Sequence, residues 1–253
     1  MKNLNLRNLK QNKNYLFLIS GIFILLSALA FILIGAVNYD SSFEIEKKTL
    51  TPTIHALFKH AGTIFYFTYL TNIFTGVTLV LLSLSTNKEK ILKMFVISVS
   101  LITITFIVYW TLLSYKLETW SSFFRAIRST ITHAINPIIA FIALFLLRKK
   151  VSISIKEIKI TTFIAIGYYI FALIVFLATY NIIAKNNGVV IYSFLDFAKP
   201  LFYRGGVLGI IVLLDVLILV LVVGISLGTL FFWKAVYKIK FIKPTKCSKN
   251  YWH

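Results

Sequence analysis

Four polar residues, Thr68, Thr71, Asn72 and Thr75, interrupt the apolar segment FYFTYLTNIFTG at spacings of three, four and seven. In a helix those spacings share one face, so the four side chains form a polar stripe. Two other apolar segments are interrupted by groups able to move protons or accept hydrogen bonds: His133 and Asn136 in THAIN, and Asp215 in VLLDVLIL. An ionisable group at membrane depth is costly to keep there, which makes it a functional-site candidate by default. Hydroxyls and amides have a second use, because small polar residues let helices approach closely and bond across the contact for roughly 0.6 kcal/mol each.

The elements that must position these groups are membrane helices. Of 253 residues, 58% are apolar and only 14% charged, with a mean hydropathy of +0.85, too apolar for the surface of a soluble domain of this length. Six apolar runs, near 15–37, 63–85, 92–115, 130–147, 159–183 and 207–232, are each long enough to cross ~30 Å of hydrocarbon at ~1.5 Å per residue. The fold expected is an all-α, polytopic six-helix membrane bundle in one domain, ending in a basic tail over 233–253. The first run is expected to stay as a helix rather than be removed as a signal peptide. It outruns the ~7–15 apolar residues of such a signal, and no small-x-small cleavage site follows. Cys247 is the only cysteine, so the chain offers neither an intrachain disulfide nor a cysteine cluster for a metal. No cofactor is expected.

The net charge of +19 does not point to nucleic acid, because the basic residues lie between the apolar runs and not on one compact face. With the N-terminus inside, eighteen Lys and Arg fall in cytoplasmic segments and nine in outer ones, which places both termini in the cytoplasm of a cell membrane. The excess also suits anionic headgroups, so membrane lipids are the expected partners. On this orientation Thr68, His133 and Asp215 lie roughly 8, 5 and 12 Å below the outer surface, at ~1.5 Å per residue. All three then occupy the outer half of the bilayer.

The stretches YFTYLTNIF, THAINPIIAF and VVIYSFLDF, in this order, resemble three signature blocks of the androgen-inducible membrane hydrolase family and its bacterial six-helix relatives. The resemblance runs from about 60 to 233. It implies a hydrolase of lipid esters in which a fatty acid is joined to the hydroxyl of another, using a membrane-embedded threonine and histidine. Carried over, these are Thr68, with Thr71 as the neighbouring alternative, and His133, four residues before Pro137. Tyr192 and Phe194 belong to the loop block, as does Asp196.

The chemistry under that resemblance needs a base, since a threonine hydroxyl is a poor nucleophile until its proton is taken and histidine is the usual acceptor. A third group would orient the imidazole, with Asp196 or Asp215 as the candidates. No G-x-S-x-G elbow is present to build an oxyanion hole, which leaves Asn72 or Asn136 as polar support or as packing groups. His55 and His60 are expected at the interface, with metal binding together with His133 as a lesser alternative. The G-x-x-x-G pairs in GGVLG (205–209) and GISLG (224–228) are expected to serve close helix packing. Beside the hydrolase stand a transporter and a purely structural membrane protein. A transporter normally needs a polar route through both leaflets, and no duplicated half is visible.

Overall fold

The computed structural model describes residues 2–46, 50–85 and 88–242. Cys247 and the tail from 243 onward lie outside these residues, as do Lys47 and Lys48. Six helices are long and apolar enough to cross a membrane. They are α1 (Lys2–Val37), α2 (Phe67–Leu84), α3 (Lys88–Val108), α4 (Phe123–Leu147), α5 (Ile155–Ala178) and α6 (Leu208–Tyr237). The chain is therefore a helical, multi-pass membrane bundle.

Several boundaries differ from the hydropathy reading, each for a local reason. The second crossing begins earlier, at Ile54, as a single helical turn (Ile54–Phe58) and a 3₁₀ segment (Lys59–Phe65) ahead of α2. The fourth starts seven residues before 130, because the Ser122 hydroxyl caps it by accepting from the Arg125 N–H at 3.3 Å. α5 opens on a capping box, with Ser154 and Glu157 satisfying each other's backbone N–H groups. α6 runs to Tyr237 and stops at Lys238, a left-handed residue at φ 52°. The basic tail therefore begins beyond 233, and its first part is docked. Strand Lys240–Ile242 pairs in parallel with Ser152–Ser154 at one end of the bundle. At the opposite end Ile45–Glu46 pairs antiparallel with Thr51–Pro52, and Val190 donates to the Pro52 carbonyl at 2.8 Å. Loops thus close over the end that holds the candidate site.

The helices are held by close approach and by hydroxyls. α1 packs most extensively against α2, where Gly21 and Gly76 face each other: a Cβ on Gly76 would lie 2.7 Å from Leu25 Cγ and 3.0 Å from the Gly21 carbonyl. The glycines of GGVLG and GISLG do not do this. A Cβ at Gly209, Gly224 or Gly228 would meet nothing within 4 Å, because α6 turns that face outward. α2 is bound to α3 by Thr71 to Thr105 (2.9 Å) and Thr78 to Ser98 (3.1 Å). α3 is bound to α6 by Trp233 to Thr103 (2.9 Å) and by the Ser100–Thr229 pair.

Candidate functional site

The polar stripe of α2 faces the bundle interior, with Thr68, Thr71, Asn72 and Thr75 all buried, but its members divide between two neighbours. Thr71 and Thr75 bond to α3, at the Thr105 hydroxyl and the Ser98 carbonyl. Asn72 turns to α4, donating to the Thr68 carbonyl at 2.7 Å and the Thr132 carbonyl at 3.2 Å. Its oxygen accepts from the Asn136 amide at 2.8 Å, and Asn136 reaches Ser27 of α1 at 3.0 Å. Asn72 and Asn136 thus pin three helices around the site without entering it. Thr68 Oγ1 lies 3.2 Å from His133 Nε2.

His133 owes its position to a distortion of α4. Residues Ile131–Ile135 form a π-turn, a widened stretch often found at functional sites, and Pro137 follows two residues on. Pro137 has no N–H to give the His133 carbonyl, and the Trp110 indole takes that carbonyl instead, at 3.0 Å. The imidazole folds back so that Nδ1 lies 3.0 Å from the Ser129 carbonyl and 3.0 Å from the Thr132 hydroxyl. That hydroxyl has its proton on the Arg128 carbonyl at 2.8 Å. Both partners of Nδ1 are then acceptors, so Nδ1 carries the hydrogen, as assigned from the network. Nε2 is left with a lone pair directed at the Thr68 hydroxyl. A second π-turn, Tyr109–Leu113, continues α3, and the Tyr109 ring stacks on His133 with centroids 3.7 Å apart at 11°. The Tyr109 hydroxyl is buried and has no hydrogen-bond partner among the described residues.

Neither acid orients the imidazole. Asp196 is buried in the loop, where its carboxylate accepts from the Ala198 and Lys199 N–H groups (2.9 and 3.2 Å) and from the Thr51 hydroxyl (3.3 Å). It shapes the turn that carries Tyr192 and Phe194. Asp215 lies against α5, its carbonyl accepting from the Tyr169 hydroxyl at 3.1 Å, while its Oδ1 has no partner among the described residues. A carbonyl stands where a carboxylate was expected because the π-turn brings Ser129 O within reach of the ring four residues on. His55 is buried in the cavity wall on the loop side and bonds the Lys59 carbonyl at 3.0 Å. His60 bonds the Ala36 carbonyl at 2.7 Å. Among the described residues no three groups converge as metal ligands.

Thr68 lies in the first turn of α2, and the hydroxyls of two tyrosines stand at the helix's first N–H groups: Phe67 N–H donates to Tyr168 at 3.1 Å and Thr68 N–H to Tyr192 at 3.4 Å. Burial pushes the Tyr192 phenol above its ordinary range, so it stays a donor at neutral pH. Tyr192 packs on Phe194 (5.3 Å, 22°) and edge-on to Tyr66 (5.4 Å). Two cavities meet here, sharing Thr68, Tyr109, Leu113, His133 and Tyr192. One is an apolar slot of about 90 Å³ among α2, α3, α5 and α6, with Ile104, Val108, Ala165 and Val222 in its wall. The other is a vestibule of about 550 Å³ on the loop side, whose wall includes Lys116, Arg125 and Arg128. Sequence reasoning missed Tyr109, Trp110, Tyr168 and Arg128. The one available signal was Pro137, which requires some donor for the His133 carbonyl. No protein-family model matches the chain, and neither does any curated protein or solved structure.

Proposed function

We propose that this chain is a membrane-embedded hydrolase of ester-linked lipids, of the androgen-inducible hydrolase type, with Thr68 as nucleophile and His133 as base. The observation that carries this is the Thr68 Oγ1 to His133 Nε2 contact of 3.2 Å, with Nδ1 fixed on the Ser129 carbonyl, where an apolar slot joins a polar vestibule. Thr68 passes its proton to Nε2 as Oγ1 bonds to the ester carbonyl carbon, and the carbonyl electron pair moves onto oxygen. Tyr192, polarised by the Thr68 N–H, keeps its proton and donates a hydrogen bond to that oxyanion, and the positive N-terminal end of α2 favours the charge. The π-face of Tyr109 supports the imidazolium in place of a carboxylate. Collapse breaks the bond to the alcohol oxygen, which takes the proton from Nε2. Water then gives a proton to Nε2 and adds to the acyl-threonine; collapse releases the carboxylic acid and returns the proton to Thr68. With the charge bias of the loops, this site opens on the outer side of a cell membrane.

The test is covalent labelling of the full chain in neutral detergent by a fluorophosphonate or an activated lipid ester. Thr68→Ala and His133→Ala should each abolish labelling with the fold intact, and Thr68→Ser should retain measurable reactivity. A wild type that takes no label and turns over no ester from a broad lipid panel sinks the reading. The cavities would then bind a ligand without cleaving it.

A further inference from the structure

The vestibule wall holds Lys116, Arg125, Arg128 and two histidines, and no carboxylate among the described residues. Its cations are not equivalent. Lys116 is matched by Glu46 at 3.5 Å and donates to Ser193 at 2.7 Å, and Arg125 reaches Ser121 at 3.3 Å. Arg128 is a half-buried residue of this wall, and its guanidinium has no ion-pair or hydrogen-bond partner among the described residues. It lies one helical turn before Thr132 and His133, so it shares the cavity with the reacting pair. A guanidinium kept partly from water without a counter-ion is poised for a carboxylate or phosphate, which its planar fork binds through two parallel N–H donors. A cavity lined by one sign of charge also concentrates anions.

We infer that Arg128 anchors an anionic oxygen group of the bound lipid, a carboxylate or a phosphate, in the vestibule while an alkyl chain fills the apolar slot. This rests on the hydrolase reading only for the ester. The anchor itself is a binding property and survives without chemistry. Arg128 is a specificity residue here, because it touches the end of the lipid that does not react.

The test is equilibrium binding to the full chain in neutral maltoside detergent, read by isothermal titration calorimetry, with dodecanoate, dodecyl phosphate and dodecanol as probes. Wild type should bind at least one anion about 10- to 100-fold more tightly than dodecanol, the range of a charge-assisted contact. Preference for the phosphate identifies a phosphorylated headgroup, and preference for dodecanoate a free carboxylate. Arg128→Gln should remove the anion preference and leave dodecanol affinity unchanged, and Arg128→Lys should keep a reduced preference. Should Arg128→Gln lose dodecanol as well, the lysine variant decides: a preference equal to wild type, or none at all, overturns the anchor. An unchanged preference in Arg128→Gln overturns it outright and makes Arg128 an interfacial residue. The same preference should persist in Thr68→Ala. Failure of esterase labelling with anion preference intact therefore sinks the hydrolase alone, and labelling without anion preference sinks the anchor alone.

Discussion

Replacing Tyr192 with phenylalanine separates chemistry from packing. The ring keeps its contacts with Phe194 and Tyr66, and the variant loses one hydroxyl, which accepts from the Thr68 N–H at 3.4 Å. That bond is long for N–H···O and sits at the weak end of the usual net ~0.5–1.5 kcal/mol. The expected loss of stability is about 0.5 kcal/mol, or a Tm lower by roughly 1 to 2 °C. As an oxyanion donor the same hydroxyl is worth about 3 kcal/mol in the transition state, near 100- to 1000-fold in rate. The assay is the second-order rate of turnover of a chromogenic acyl ester beside a thermal melt in the same detergent. A Tm within about 2 °C of wild type with a rate down by ~100-fold is the expected pair. A rate within about threefold of wild type, far short of what one such donor supplies, refutes the oxyanion role. A large fall in Tm would show that Tyr192 is a cap for α2 instead.

Other expectations follow from the same structure. Gly76→Ala forces a Cβ to within 2.7 Å of Leu25 Cγ and should destabilise the bundle by about 1–3 kcal/mol, whereas Gly224→Ala, with open space around it, should leave the melt unchanged. In the loop, hydrogen bonding to Glu44 pushes the Tyr39 phenol up to about 12 and its bond holds the Glu44 carboxyl below the usual range. That contact is therefore in place between the two titrations. It is lost as pH falls through the Glu44 value or rises through that of Tyr39, and a difference titration against Tyr39→Phe should show one phenol ionising near pH 12. A membrane-impermeant maleimide should label Cys247 only after permeabilisation; labelling in intact cells would reverse the orientation argued from the loop charges.

Helix number was legible because hydropathy reports it directly: apolar runs of membrane length have few other uses. The pairing of Thr68 with His133 rested on the family-like blocks, and the stripe alone could not single out Thr68, since Thr71 and Thr75 differ from it only in which helix they meet. The orienting group was not legible at all. Asp196 and Asp215 are the acids a triad leads one to seek, yet the carbonyl that fills the place belongs to the backbone of Ser129, one turn back from a π-turn that leaves no mark on hydropathy. Glycine spacing misled for a related reason. G-x-x-x-G marks a small-residue face without saying whether a partner helix lies beside it, and the glycines that do meet, Gly21 and Gly76, come from different helices.

The two π-turns act as phase shifts in their helices. Each adds about one residue to an α-helical turn of ~3.6, which rotates everything beyond it by roughly 100° about the helix axis. In α4 the shift lies between the Phe123–Thr130 segment, which carries Arg125 and Arg128, and the Asn136–Leu147 segment, which carries the packing seam with α3. Removing one residue from Ile131–Ile135 would restore the α register and swing one segment against the other. The seam would keep its face and the arginines would leave the vestibule. The length of α4, counted to the single residue, thus sets which cavity its charges serve.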